Sequence, residues 1–98
     1  MLNTSVAPWV VGREPLLEYA IDDHLRELGR ATPWLGKIHE EILSRLNADL
    51  DAEFGLTPLR IMQQDRVDQW VQEQPEPETA AVIHEFRQYL LDWNWLSE

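Results

Sequence analysis

Two dipeptides in this chain of 98 residues begin like the helix of a zinc peptidase. His39-Glu40 and His84-Glu85 each open the spacing His-Glu-x-x-His, in which two imidazoles one turn apart hold zinc and the glutamate serves as base. The position that must supply the second imidazole is Leu43 in one case and Gln88 in the other. A carboxylate-bridged di-iron site needs a glutamate three residues before each histidine, and those positions before His24, His39 and His84 hold Ile21, Gly36 and Ala81. Glu18 and Asp22, one turn apart, and the adjacent Asp23 bring like charges together, which could bind a divalent cation or raise a carboxyl pKa. None of the other parts a hydrolase requires accompanies them: there is no Gly-x-Ser-x-Gly, no glycine-rich phosphate loop and no EF-hand loop. The expectation is a protein without catalytic residues, metal ligands or cofactor, whose histidines lie at the surface or half-buried.

The elements that carry these residues are punctuated by proline and glycine. Glu14-Pro15 opens a stretch in which Leu17, Ile21, Leu25 and Leu28 recur at helical spacing, closed by Gly29, so a helix is expected over 15–28. Thr32-Pro33 supplies a capping hydroxyl and a proline in the first turn of a second helix. Leu35, Ile38, Ile42, Leu46, Leu50 and Phe54 follow at intervals of three and four up to Gly55, which predicts a long apolar spine over 33–54. Thr57-Pro58 repeats the capping device. The spacing of five from Met62 to Val67 then predicts a broken helix over 58–74, interrupted near Gln64-Asp65, with Asp65 as cap and with Val67, Trp70 and Val71 apolar. Pro75 and Pro77 make QPEPE a stiff acidic connector. Val82 or Ile83, Phe86, Leu90 and Trp93 predict a last helix over 78–93. The fold expected is all-α: one domain, a compact bundle of four to five helices with residues 1–14 as an extended arm pinned by Trp9, and short antiparallel connections.

Composition narrows the function. Cysteine is absent, so disulfides and thiolate metal sites are excluded and a reducing, cytoplasmic setting is the simplest expectation. The N-terminal segment lacks a basic region before its apolar residues, as a signal peptide would require, and no apolar run is long enough for a membrane helix. Eighteen acidic residues stand against eight basic ones, for a net charge of −10. Direct nucleic-acid binding needs Lys and Arg clusters that this chain lacks. Eight acidic residues and two arginines lie between Asp65 and Glu98, a balance that attracts basic surfaces.

Five tryptophans, at 9, 34, 70, 93 and 95, are many for this length. Trp70 and Trp93 fall on apolar stripes and are expected in the core; Trp34 sits in the first turn of the spine, packed or exposed. Trp95 cannot share a helix face with Trp93. Either the chain turns at Asn94 and tucks Trp95 beneath the domain, or Trp95 stands exposed as an apolar anchor with an acidic rim. The residues expected to meet a partner are Trp95, Asp92, Glu85, Glu76, Glu78, Asp68 and Trp34. Their arrangement suits a partner with a basic surface, and the favoured reading is an inhibitor or regulator that blocks the nucleic-acid-binding surface of a larger complex. In size and charge the chain is similar to small phage-encoded inhibitors such as anti-CRISPR proteins, an analogy without a shared motif.

A second reading rests on the stretch GLTPLRIMQQDRVDQWV, which resembles the toxin-binding segment of Xre/MbcA/ParS-type antitoxins through Gly55, Thr57, Pro58, Leu59, Val67 and Val71. The likeness covers about a sixth of the chain, and the Trp-Leu and Asn-Pro elements that usually precede it are missing. It implies an antitoxin or regulatory adaptor. A homo-oligomer, in which a second copy covers the exposed apolar stripe, is the third possibility.

Overall fold

Pro33 and Gly55 set the limits of the longest element. The computed structural model describes residues 15–96, and in it α2 runs Pro33–Phe54 with proline in its first turn and Gly55 at φ 80 as its stop. Before it comes α1, Leu17–Ala31, which continues through Gly29 and ends only at Thr32. Gly29 costs little helix here because it lies in the last turn, two residues before the helix ends. After α2 come a 3-10 turn, Leu59–Gln63, then α3, Asp65–Glu73, and α4, Thr79–Asp92. The break expected near Gln64-Asp65 is present, with Gln64 at the cap and Asp65 already inside α3, where its charge faces the helix N-terminus. The arm expected over 1–14, with Trp9, lies outside the described residues.

The two threonines do not cap the helices they precede. Thr32 Oγ1 donates to the Leu28 carbonyl at 3.4 Å, and so finishes α1, and Thr57 Oγ1 donates to the Gly55 carbonyl at 3.1 Å within the turn. Each hydroxyl serves the chain behind it because the proline after it already removes one unpaired N–H from the next helix start.

Helices α1 and α2 form an antiparallel hairpin closed at its far end by Leu17 N–H to the Thr57 carbonyl and Leu59 N–H to the Pro15 carbonyl, each 2.9 Å. An isolated antiparallel bridge between Leu16 and Pro58 lies there, and no strand occurs among the described residues. The α3 helix follows the C-terminal half of α2: Arg66 pairs with Glu53, and the Trp70 indole donates to Asp49 Oδ2 at 2.7 Å. Along α4, Glu85 meets His39 on α2 and Tyr89 meets Asp23 on α1, so one turn of α4 spans both arms of the hairpin. The core between them holds Leu17, Leu43, Leu46, Leu50, Leu59, Met62, Val67, Trp70, Phe86 and Leu90.

The spine is buried only in its middle. Ile42, Leu43, Leu46 and Leu50 are enclosed, whereas Leu35, Ile38 and Phe54, expected in the same stripe, are exposed. The reason is length. At 22 residues α2 is about 33 Å long. The 14 residues of α4 cover about 21 Å, and α4 spends them crossing the hairpin.

The end of α4 settles the tryptophan pair. Asn94 takes the left-handed conformation, φ 61, while Trp95 N–H bonds to the Leu90 carbonyl at 2.8 Å and Asn94 N–H to the Leu91 carbonyl at 3.2 Å. These are the two bonds of a Schellman stop, which also brings the residue after Asn94 against Leu90. Asparagine tolerates this conformation; a β-branched residue does not. Asn94→Val should lower the unfolding free energy by about 1–2 kcal/mol, and Asn94→Gly should leave it within about 0.5 kcal/mol, measured by urea denaturation.

Candidate functional site

The reversal at Asn94 realises the first of the two alternatives for Trp95, the tuck beneath the domain, and overturns the expectation for Trp93. Trp95 is half-buried, packs on the core together with Leu96, and hydrogen-bonds the Tyr89 hydroxyl. Trp93, expected in the core, is 59% exposed and touches Tyr89 at a ring-centroid distance of 6.0 Å. Trp95 therefore does not stand out as an anchor.

The acidic residues expected to meet a partner are spread over the molecule and mostly engaged. Glu76 receives both terminal nitrogens of Arg45 at 2.8 Å, which holds its carboxyl below the usual glutamate range. Asp68 receives Arg87 at 2.9 Å, and the same guanidinium donates to the Met62 carbonyl. Asp92 accepts the Gln88 amide, and Glu85 accepts from His39. Glu78 is exposed at the start of α4. Glu76 ties the connector to α2, Glu85 ties α4 to α2 and Asp68 ties α3 to α4, so these carboxylates serve separate contacts. The arginines are committed in the same way: Arg26 and Arg30 bind acids on α1, and Arg45, Arg66 and Arg87 bind acids elsewhere in the fold.

Trp34 remains as the outstanding surface feature. It is 72% exposed, and Leu35 and Ile38 beside it are exposed as well. Trp34 and Ile38 are four apart and Leu35 and Ile38 three apart, so the three form one continuous apolar face on the first turns of α2. Leu25 and Leu28 on the neighbouring arm are half-buried. This tip of the hairpin extends beyond the crossing of α4, and no described element covers it. Lys37 and Glu41 are exposed alongside. A smaller pair, Phe54 and Leu56, is exposed at the opposite end of α2, where the antitoxin-like segment begins. Of the residues that carry that likeness, Thr57, Leu59 and Val67 are buried.

Two of the histidines are not at the surface. His24 Nε2 lies 3.3 Å from His39 Nδ1, and His39 Nε2 lies 3.1 Å from Glu85 Oε2; both imidazoles are buried, while His84 is exposed. Burial, then repulsion from His39, lowers the His24 pKa to about 4, against a smaller opposing pull from Asp23. His39 is also lowered by burial, opposed by Glu85. Beside them Tyr89 donates its hydroxyl to Asp23, and burial followed by that carboxylate pushes the phenol up to about 12. Helical spacing within one element could not have shown this pairing, because His24 and His39 sit on different helices.

Chemistry at this cluster is limited. No group of three or more metal-ligating side chains converges among the described residues. A groove of about 290 Å³ lies elsewhere, between Met62, Leu91 and Leu96 with Asp68 and Arg87 on its rim. Its two charged groups already bind each other. No described helix is long and apolar enough to cross a membrane.

Trp95→Ala should lower the unfolding free energy by about 2 kcal/mol, and Trp93→Ala should change it by no more than about 0.5 kcal/mol, compared by thermal and urea unfolding. Compared with protein-family models, with curated proteins and with solved structures, the chain matches none.

Proposed function

We propose that this chain is a non-enzymatic binding protein that offers the tip of its α1–α2 hairpin to a larger partner carrying an apolar socket with a basic rim. The observation that carries this reading is the face formed by Trp34, Leu35 and Ile38. An exposed tryptophan braced by two exposed aliphatic residues is the composition of a binding hot spot, and tryptophan loses little conformational entropy when it docks. Charge supplies the rim. With a net charge of −10 and the guanidiniums of Arg26, Arg30, Arg45, Arg66 and Arg87 all held by carboxylates, the surface repels phosphates and attracts lysine and arginine. Surfaces that hold nucleic acid are rich in those residues. The chain accordingly acts by occupying such a surface locally, as an inhibitor or regulator.

Capture from a nuclease-treated lysate tests this. The expected partner is a basic, nucleic-acid-handling complex whose binding is competed by added DNA or RNA and weakens with salt. Trp34→Ala should reduce its affinity at least about 30-fold, a loss of about 2 kcal/mol, without changing thermal stability. Recovery of a small partner whose binding is lost on Leu56→Ala and kept on Trp34→Ala would replace this reading with that of an antitoxin or adaptor. A solution mass that is a multiple of 11.5 kDa, returned to the monomer by Trp34→Ala, would replace it with self-assembly.

A further inference from the structure

The buried histidine pair is the polar feature that the proposed binding face does not use. The direction of its hydrogen bonds follows from the end that is fixed. Glu85 as a carboxylate can only accept, so His39 Nε2 carries a proton toward it. A neutral His39 then presents a lone pair at Nδ1, and His24 must donate to it from Nε2. This leaves His24 Nδ1 as a bare lone pair. That nitrogen is buried and has no hydrogen-bond partner among the described residues, in a side chain only 5% exposed.

The surroundings give it nothing to bind. On α1 the adjacent Asp23 accepts from Tyr89 and lies 3.7 Å from Arg26. On α4 the Tyr89 ring lies against His24 at 4.7 Å, but its hydroxyl is engaged by Asp23, and Phe86 closes the other side at 5.3 Å. On α2 the facing group is His39 itself, 5.4 Å away between ring centroids. Glu85 lies beyond His39, on the far side of the pair.

An added proton therefore has no good place in the folded chain. On His24 it creates a buried N–H with no acceptor. On His39 it either sets two N–H groups against each other or forces His24 to the other tautomer, whose Nδ1–H is again without an acceptor. In the unfolded chain both imidazoles take the proton into water at no such cost.

We propose that the His24–His39–Glu85 chain is an acid-sensitive switch built into the seam where α4 crosses the α1–α2 hairpin, closed while both imidazoles are neutral and forced apart by one further proton. The sign follows from the lowered pKa. A histidine with a folded pKa near 4 and an unfolded value of 6.5 adds stability that is complete above about 6.5 and declines as the pH falls toward 4. Glu76, held low by Arg45, keeps its contribution above the ordinary glutamate value of 4.5, below the range from pH 7 to pH 5.

Two measurements on the full chain test the switch. Urea unfolding followed from pH 7 to pH 5 should show the unfolding constant rising about twentyfold from His24 alone. His24→Phe, which keeps a ring against Phe86 and Tyr89, should flatten that dependence. Imidazole NMR of the unaltered protein should find His24 still neutral at pH 5, which decides the matter even where the phenylalanine variant does not fold. Titration of His24 near 6.5 in the folded protein, or a pH dependence unchanged by His24→Phe, would overturn the proposal.

Discussion

A helix of 22 residues cannot be buried along its whole length by neighbours of 15, 9 and 14 residues, and this mismatch organises the molecule. The middle of α2 sets the core, with Leu43, Leu46 and Leu50 fully enclosed. Its C-terminal half is followed by α3, and its centre is crossed by α4. What is left over is the N-terminal tip of the hairpin, where apolar residues at helical spacing are exposed and no other described helix covers them. Burying such residues favours the fold at about 25 cal/mol per Å² of apolar surface. A face left bare therefore forgoes stability that the sequence could have had, and this is why the proposed binding role is placed there.

The polar groups divide into two sets with opposite consequences. At the surface, arginines and carboxylates pair with each other across the connector, α3 and α4, in exposed or half-exposed positions where such pairs add little stability and mainly fix geometry. They also leave the excess charge wholly negative. Inside, the His24–His39 pair lies in the seam with one nitrogen unsatisfied, where each added proton is costly. The first set carries the proposed attraction of a basic partner; the second carries the proposed sensitivity to acid.

Much of the architecture was legible in the residues because proline and glycine mark it. Pro33 and Gly55 bound α2 to the residue, and the offset between Met62 and Val67 located the break before α3. Periodicity also identified the middle of the spine, but it could not tell which turns of a long helix would be left uncovered, since that depends on where α4 crosses. Hence Leu35, Ile38 and Phe54 read as core and are exposed. The histidine pair was hidden for a related reason: each imidazole is unremarkable on its own helix, and only the packing of α1 on α2 brings them together. The tryptophans at 93 and 95 turned on one backbone conformation at Asn94, which spacing alone leaves open. Trp34 was legible as a candidate, whereas the pairing of Glu76 with Arg45, Asp68 with Arg87 and Glu85 with His39 depends on how the helices pack and was not.

The distribution of indoles has a consequence for how the molecule can be watched. Trp70 is enclosed, with its N–H on the Asp49 carboxylate; Trp95 is half-covered beside a tyrosine; Trp34 and Trp93 are open to water. Ultraviolet emission from the four described indoles is accordingly a sum over distinct local polarities, in which the red edge reports the hairpin tip and the end of α4 and the blue edge reports the interior. The chain therefore carries its own optical reporters, and wavelength alone can separate an event at the hairpin tip from one in the core without any added dye.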